Sequence, residues 1–154
     1  QVRDTIATEF RSAGIPVETG DDLAAMRWHK LVWNMAFSGL CTSSGLRTQE
    51  LLANSELRHR LLAVMEEVVA AAAAEGVNLD PAIIPDFLAR TEAMPSYAPS
   101  MQLDAEAGRP LELETIYRIP LQRARQHGLA MAQTTRLLHE LEVLSAMPGQ
   151  HGAD

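Results

Sequence analysis

Lys30 is the only lysine in a chain whose other 12 basic residues are all arginines. It lies in Trp28-His29-Lys30-Leu31-Val32-Trp33-Asn34, between the only two tryptophans, and Ser38 follows one helical turn after Asn34. At about 100° per residue, Lys30, Asn34 and Ser38 step round a helix by about 40° each and form one polar stripe. Leu31, Trp33 and Phe37 wall that stripe, and Val32, Met35, Ala36, Gly39 and Leu40 fill the rest of the surface. A solvent-facing helix carries a broad charged face instead, so the pattern predicts a helix buried nearly all round with one polar groove along it. An ammonium in such a groove is a compact proton donor whose pKa falls readily on burial. The amide and hydroxyl beyond it suit the carboxylate or hydroxyl oxygens of a small ligand. Arginine pairs carboxylates well, and the chain uses it everywhere else, so lysine here favours proton transfer over a plain ion pair. The competing reading is structural: the lysine stem packs and its amine snorkels to water or a carboxylate.

A second polar cluster spans 100–114, "SMQLDAEAGRPLELE". Ser100 and Asp104 are one helical turn apart. Glu112 and Glu114 fall where the next helix begins, and carboxylates favour that positive end of the dipole. Ser100 reads as a helix cap and the glutamates as helix-start charges. The segment also supplies a carboxylate able to hold the Lys30 ammonium. The five histidines, at 29, 59, 127, 139 and 151, show no HxxxH or HxH spacing, which argues against a metal-dependent enzyme.

These groups need elements to position them. Hydrophobic residues make up 47% of the 154-residue chain and aromatics only 5%, a composition that favours packed helices over a sheet. Helices are expected over residues 2–13, 23–40, a short turn after Thr48, 55–75, 81–94, 100–107, 111–127 and 133–147. Asp21 or Asp22, Thr48, Asn54 or Ser55, and Ser100 are the expected caps. Gly14, Gly76 and Gly128 are the expected stops, and Pro120 should kink the helix it falls in. The alanine run 70–74 reads as a close-packing helix surface. The sum is an all-α domain of six or seven helices behind a short αβ remnant, in which residues 15–19, "IPVET", are extended. Residues 1–20 read as the end of a preceding domain, 21–147 as the helical domain, and 148–154 as a frayed tail.

The formal charge is −7 with the arginines scattered, which excludes the basic face of a nucleic-acid binder. The longest apolar candidate for a membrane span, 64–77, is interrupted by Glu66, Glu67 and Glu75 and falls short of about 20 residues. A single cysteine, Cys41, fits a reducing cytoplasm.

The two polar blocks, "KLVWNMAFS" (30–38) and "SMQLDAEAGRPLE" (100–112), together resemble the C-terminal domain of the ketopantoate reductase family. The likeness extends through "ETGDDLAAMRWHK", "ELLANSELRHRLLAVMEEVVAAAAAEGV" and "HGLAMAQTTRLLHELEVL", roughly residues 10–147. The resemblance implies a helical domain of the 6-phosphogluconate-dehydrogenase-like type, joined to a Rossmann domain and often forming homodimers. It implies NADPH-dependent reduction of a 2-oxo acid, ketopantoate, to pantoate in pantothenate synthesis. It makes Lys30 the general acid, Asn34, Ser38 and Ser100 substrate-contacting residues, and Glu112 a partner of the lysine and the cofactor ribose. Ser38 stands where the family commonly has asparagine, and Tyr117-Arg118 replaces the more usual Asn-Gly. No GxGxxG follows a strand anywhere, so the nucleotide-binding part is expected to be absent and the chain alone to be inert. Two readings from different classes stand: half of such a reductase, acting on ketopantoate or on another 2-oxo acid, or a helical dimerisation module with a purely structural stripe.

Overall fold

The computed structural model describes residues 2–15, 17 and 22–147, with the side chain of Arg3 left undescribed. After a first helix, α1 (Val2–Ser12), the helix carrying Lys30 begins at the expected acidic cap. Asp22 accepts the Ala25 amide at 3.0 Å, satisfying one N–H that the helix start leaves free. α2 covers Leu23–Trp33, widens into a π turn over Asn34–Ser38, and continues as α3, Gly39–Ser44. Then come α4 (Thr48–Ala53) and α5 (Ser55–Ala74), the latter capped by the Asn54 side chain. α6 (Ile83–Ala93) and α7 (Ser100–Glu106) follow. A second π turn (Glu114–Arg118), α8 (Ile119–Gln126) and α9 (Ala132–Ala146) complete the order. There is no strand among the described residues. Of the αβ remnant only α1 and parts of "IPVET" fall among them; the rest of "IPVET", the boundary at 20 and the 148–154 tail lie outside those residues.

The Lys30 helix is not buried all round. Leu23, Met26, Arg27, His29 and Lys30 are exposed, while Met35 to Thr42 are buried. The cause is a change of neighbours along its length. α2 rests mainly on α5, touching it through Trp28 and Val32, and meets α6 on one flank. The π turn and α3 are enclosed by α5, α7, α9 and the second π turn. Hydrophobic residues thus reach the surface in the first half because no element lies over them.

Three further expectations shift. Thr48 opens α4 without capping it; it is buried and clasps Tyr97, donating its amide to the Tyr97 carbonyl and accepting the Tyr97 amide on Oγ1. Ser100 is the first residue of α7, behind Pro99, and no side chain caps that helix. Pro120 falls within a continuous helical run, and the irregularity there is the π turn that ends two residues ahead of it.

α5 is the axis. Leu61, Val64, Met65, Val68, Ala71 and Ala72 are buried, a three-and-four spacing that presents one continuous face. Within the alanine run only Ala71 and Ala72 pack; Ala70, Ala73 and Ala74 are exposed. The charges that interrupt this helix are its cross-ties. Arg60 forms a two-pronged pair with Glu140 of α9, at 2.9 and 3.0 Å. Glu67 accepts the Gln133 and Thr134 amides at 2.9 and 2.8 Å and the Thr134 hydroxyl at 2.8 Å. α9 has no cap of its own, since Met131 stands at the cap position in a left-handed conformation, φ 43°; a carboxylate from another helix caps it instead. No described helix is long and apolar enough to cross a membrane.

Glu67→Ala should lower unfolding free energy by about 1–3 kcal/mol, because the Thr134 hydroxyl and α9 amides lose their acceptor. Chemical denaturation checks this, and a wild-type midpoint would contradict the remote cap. Cys41 is fully buried, and desolvation first and Glu50 second push its thiol up to about 12. The folded chain keeps a proton that the unfolded thiol releases near pH 9, so this group's stabilisation is lost as pH rises from about 9 toward 12. A disulfide reagent at pH 8 should label Cys41 only as fast as the chain opens, and immediate labelling would contradict its enclosure.

Candidate functional site

Lys30 is placed by the last turn of α2 and Asn34 by the first residue of the π turn. Two cavities meet at this pair. One, of about 550 Å³, is lined by Met26, His29, Trp33, Asn78 and Phe87 together with Lys30 and Asn34. The other, of about 690 Å³, has Lys30, Asn34, Arg27, Glu112 and Arg123 on an apolar wall of Leu23, Trp28, Ile116, Ile119 and Pro120. The structure therefore brings Lys30, Asn34 and Glu112 to one cleft although Glu112 is distant in sequence. Lys30 and Glu112 are both exposed, and neither forms an ion pair among the described residues. An unpaired ammonium and an unpaired carboxylate on one cleft can give a proton and hold a hydroxyl.

The other expected residues stand apart. Ser38 is only 5% exposed, at the end of the π turn, where its carbonyl accepts the Thr42 hydroxyl at 2.6 Å. Ser100 is exposed. Neither lines the two cavities that meet at Lys30. Asp104 does not hold Lys30, because it pairs with Arg109 at 2.7 Å. The residues after Ser100 act as anchors: Met101 and Gln102 are buried, and the Gln102 amide donates to the Gly45 carbonyl that ends α3.

Both tryptophans brace the Lys30 helix. Trp28 donates its indole N–H to Glu75 at 3.1 Å. Trp33 donates to the Thr91 hydroxyl at 3.0 Å and stacks on Phe37 and Tyr97. Their N–H groups are satisfied, so both rings can stay enclosed on either side of Lys30.

Sequence reasoning gave no site role to Tyr117, Glu75, Arg27 or Arg123. Tyr117 is fully buried, its phenol pushed well above its usual pKa by desolvation, and it donates to the Met35 carbonyl at 2.7 Å. It thereby joins the two π turns, one carrying Asn34 and the other just after Glu112. The approach requires Gly39: a Cβ there would lie 2.0 Å from the Tyr117 hydroxyl and 2.8 Å from Leu137. Arg118 ties the same turn to α9 through Glu142 at 2.8 Å. Tyr117-Arg118 is thus a packing and cross-linking pair. Arg27 was legible, one turn before Lys30 on the same face; Glu75 and Arg123 are far apart in sequence and gave no signal.

A profile described as "Ketopantoate reductase PanE/ApbA C terminal" matches residues 22–145. The chain belongs to the ketopantoate reductase family. It is 38% identical over 139 residues to a 2-dehydropantoate 2-reductase of Nostoc sp., covering 90% of this chain and 44% of that protein. Against one from Mycobacterium tuberculosis it is 32% identical, covering 91% and 47%. A solved 2-dehydropantoate 2-reductase from Methylococcus capsulatus superposes with a TM-score of 0.86 at 33% identity, over 94% of this chain and 47% of that one. The corresponding structure from Geobacter metallireducens gives 0.85 at 39%, over 91% and 47%. The chain spans less than half the length of these relatives, so it corresponds to the family's helical C-terminal region.

Tyr117→Phe should cost about 1–3 kcal/mol by leaving the Met35 carbonyl unpaired. Gly39→Ala should cost at least as much through overpacking, and less in the Tyr117→Phe background, where the hydroxyl in its way is gone. A double-mutant cycle by denaturation checks the coupling, and additive losses would contradict it.

Proposed function

We propose that this chain is the helical half of an NADPH-dependent 2-dehydropantoate 2-reductase, acting with a Rossmann domain to reduce ketopantoate. The observation that carries the reading is the convergence of Lys30, Asn34 and Glu112 on one cleft in a chain of this family. When bound, the nicotinamide supplies a hydride to the 2-oxo carbon. The apolar wall of Leu23, Ile116 and Ile119 suits a flat ring. Lys30 gives its proton to the oxygen as charge develops there, Asn34 holds the substrate's oxygens, and Glu112 orients the ammonium or the cofactor ribose. The exposed Ser100 hydroxyl is available to substrate; Ser38 is too enclosed to reach a ligand in this arrangement.

Lys30 lies open to solvent here, and covering by the partner domain would supply the desolvation that proton transfer benefits from. The reading carries a cytoplasmic homodimer with it. Exposed apolar side chains on α1 (Val2, Ile6, Phe10) and at the end of α9 (Val143, Leu144, Met147) favour the second reading, an interaction module, and are compatible with both.

In the full-length protein, Lys30→Ala should lower turnover of ketopantoate with NADPH by about 10²–10⁴-fold, with thermal stability nearly kept. Lys30→Arg should not rescue it, since guanidinium is a poor acid near neutral pH. Near-normal turnover in either variant would remove Lys30 from proton transfer. The 154-residue chain alone should consume NADPH no faster than its Lys30→Ala control.

A further inference from the structure

The cleft is shaped in part by a carboxylate that the reductase reading does not use. Glu75, where α5 ends, has a side chain only 7% exposed. One of its oxygens accepts the Trp28 indole N–H at 3.1 Å, and the other forms an ion pair with Arg123, 2.6 Å from its Nε. Trp28 and Arg123 both line the larger cavity. Glu75 engages the inner edge of the Arg123 guanidinium, and no partner takes the terminal nitrogens among the described residues. Arg27 lines the same cavity one helical turn before Lys30, and like Lys30 it is exposed and has no carboxylate partner among the described residues. Among the described residues three cations, Lys30, Arg27 and Arg123, therefore line this cavity with one carboxylate, Glu112, while a second carboxylate, Glu75, pairs with Arg123, in a chain of net charge −7. Arg58, Arg60, Arg109, Arg118 and Arg136 pair with acids away from this cavity.

We propose that Arg123 and Arg27 form an oxyanion subsite beside Lys30, with Glu75 as the positioning residue that aims Arg123 into the cleft. A guanidinium held at Nε presents its two terminal N–H₂ groups as a planar fork that fits the paired oxygens of a carboxylate or a phosphate. The apolar wall behind it strengthens that attraction by limiting solvent access. The inference rests on the reductase reading in treating this cleft as the one that receives reactants. The chemistry it names is shared by the substrate's carboxylate and the cofactor's diphosphate.

The test titrates the chain, at constant ionic strength, with sodium pyrophosphate in one arm and ketopantoate in the other. The two indole N–H signals are followed by NMR, assigned with Trp33→Phe. A saturable shift of the Trp28 signal is expected in at least one arm, and the arm that produces it identifies the source. Arg123→Gln and Arg27→Gln should each weaken that binding by about tenfold, the loss of one charge-assisted contact. Arg125→Gln, an exposed charge outside the cavity, should leave it within twofold. Glu75→Gln separates positioning from neutralisation. Removing a negative charge beside Arg123 would tighten anion binding if Glu75 only balanced charge, whereas loss of aim weakens it, by about threefold or more. No saturable shift in either arm, or equal losses in Arg123→Gln and Arg125→Gln, overturns the subsite. Tighter binding in Glu75→Gln overturns the positioning role. Lys30-dependent turnover of the full-length protein together with no anion binding would sink this inference alone; Arg123-dependent binding without such turnover would sink the reductase reading alone.

Discussion

One hydrogen bond sets the distance between the two halves of the cleft. Tyr117 reaches from the second π turn to the Met35 carbonyl in the first, and Gly39 is the space it passes through. A π turn shifts the backbone pairing from four residues back to five, which widens the helix and can leave a carbonyl open to an outside donor. Here the donor is a fully buried phenol. Asn34 begins one widened turn and Glu112 lies just before the other. Their separation is therefore fixed by this contact rather than by any direct bond between them. A charged or flexible residue at 117 has no way to fill the same volume and satisfy the same carbonyl.

The rest of the domain is arranged around a helix that uses both kinds of side chain on purpose. The apolar face of α5 supplies the core, and its charges reach across to α9, α2 and α8. Enclosed carboxylates such as Glu67 and Glu75 are tolerated because each accepts bonds from two or more donors, which offsets the loss of water. The cleft itself is different. Lys30, Arg27 and Glu112 line it without partners among the described residues.

Much of this was legible. The Lys30-Asn34 spacing, the Asp22 and Asn54 caps and the long α5 follow from local periodicity and capping chemistry, which act over three or four residues. Thr48 and Ser100 were misjudged as caps for a shared reason: a hydroxyl near a helix start caps it only if the chain ahead leaves it free, and Thr48 is taken by Tyr97 while Pro99 occupies the position before Ser100. The burial of the Lys30 helix was misjudged because apolar composition records what a helix is able to bury, not what arrives to cover it. Tyr117-Arg118 could be noticed only as a departure from the family pattern; its partners are Met35 and Glu142, beyond the reach of any local rule.

By itself the sequence determined an all-α domain, its family, and the lysine and asparagine at one end of a polar stripe. These follow from helical periodicity and from residue types at short spacing, where geometry is set by the backbone alone. Only the tertiary structure decided that Glu112 and Arg123 line one cleft with Lys30, that Ser38 lies enclosed, and that Glu75 holds Arg123 and Trp28 together. Those relations depend on how α8 and the second π turn pack against α2 and α5. That packing is decided by a missing Cβ at Gly39 and one buried hydroxyl at Tyr117, contacts between residues far apart in the chain.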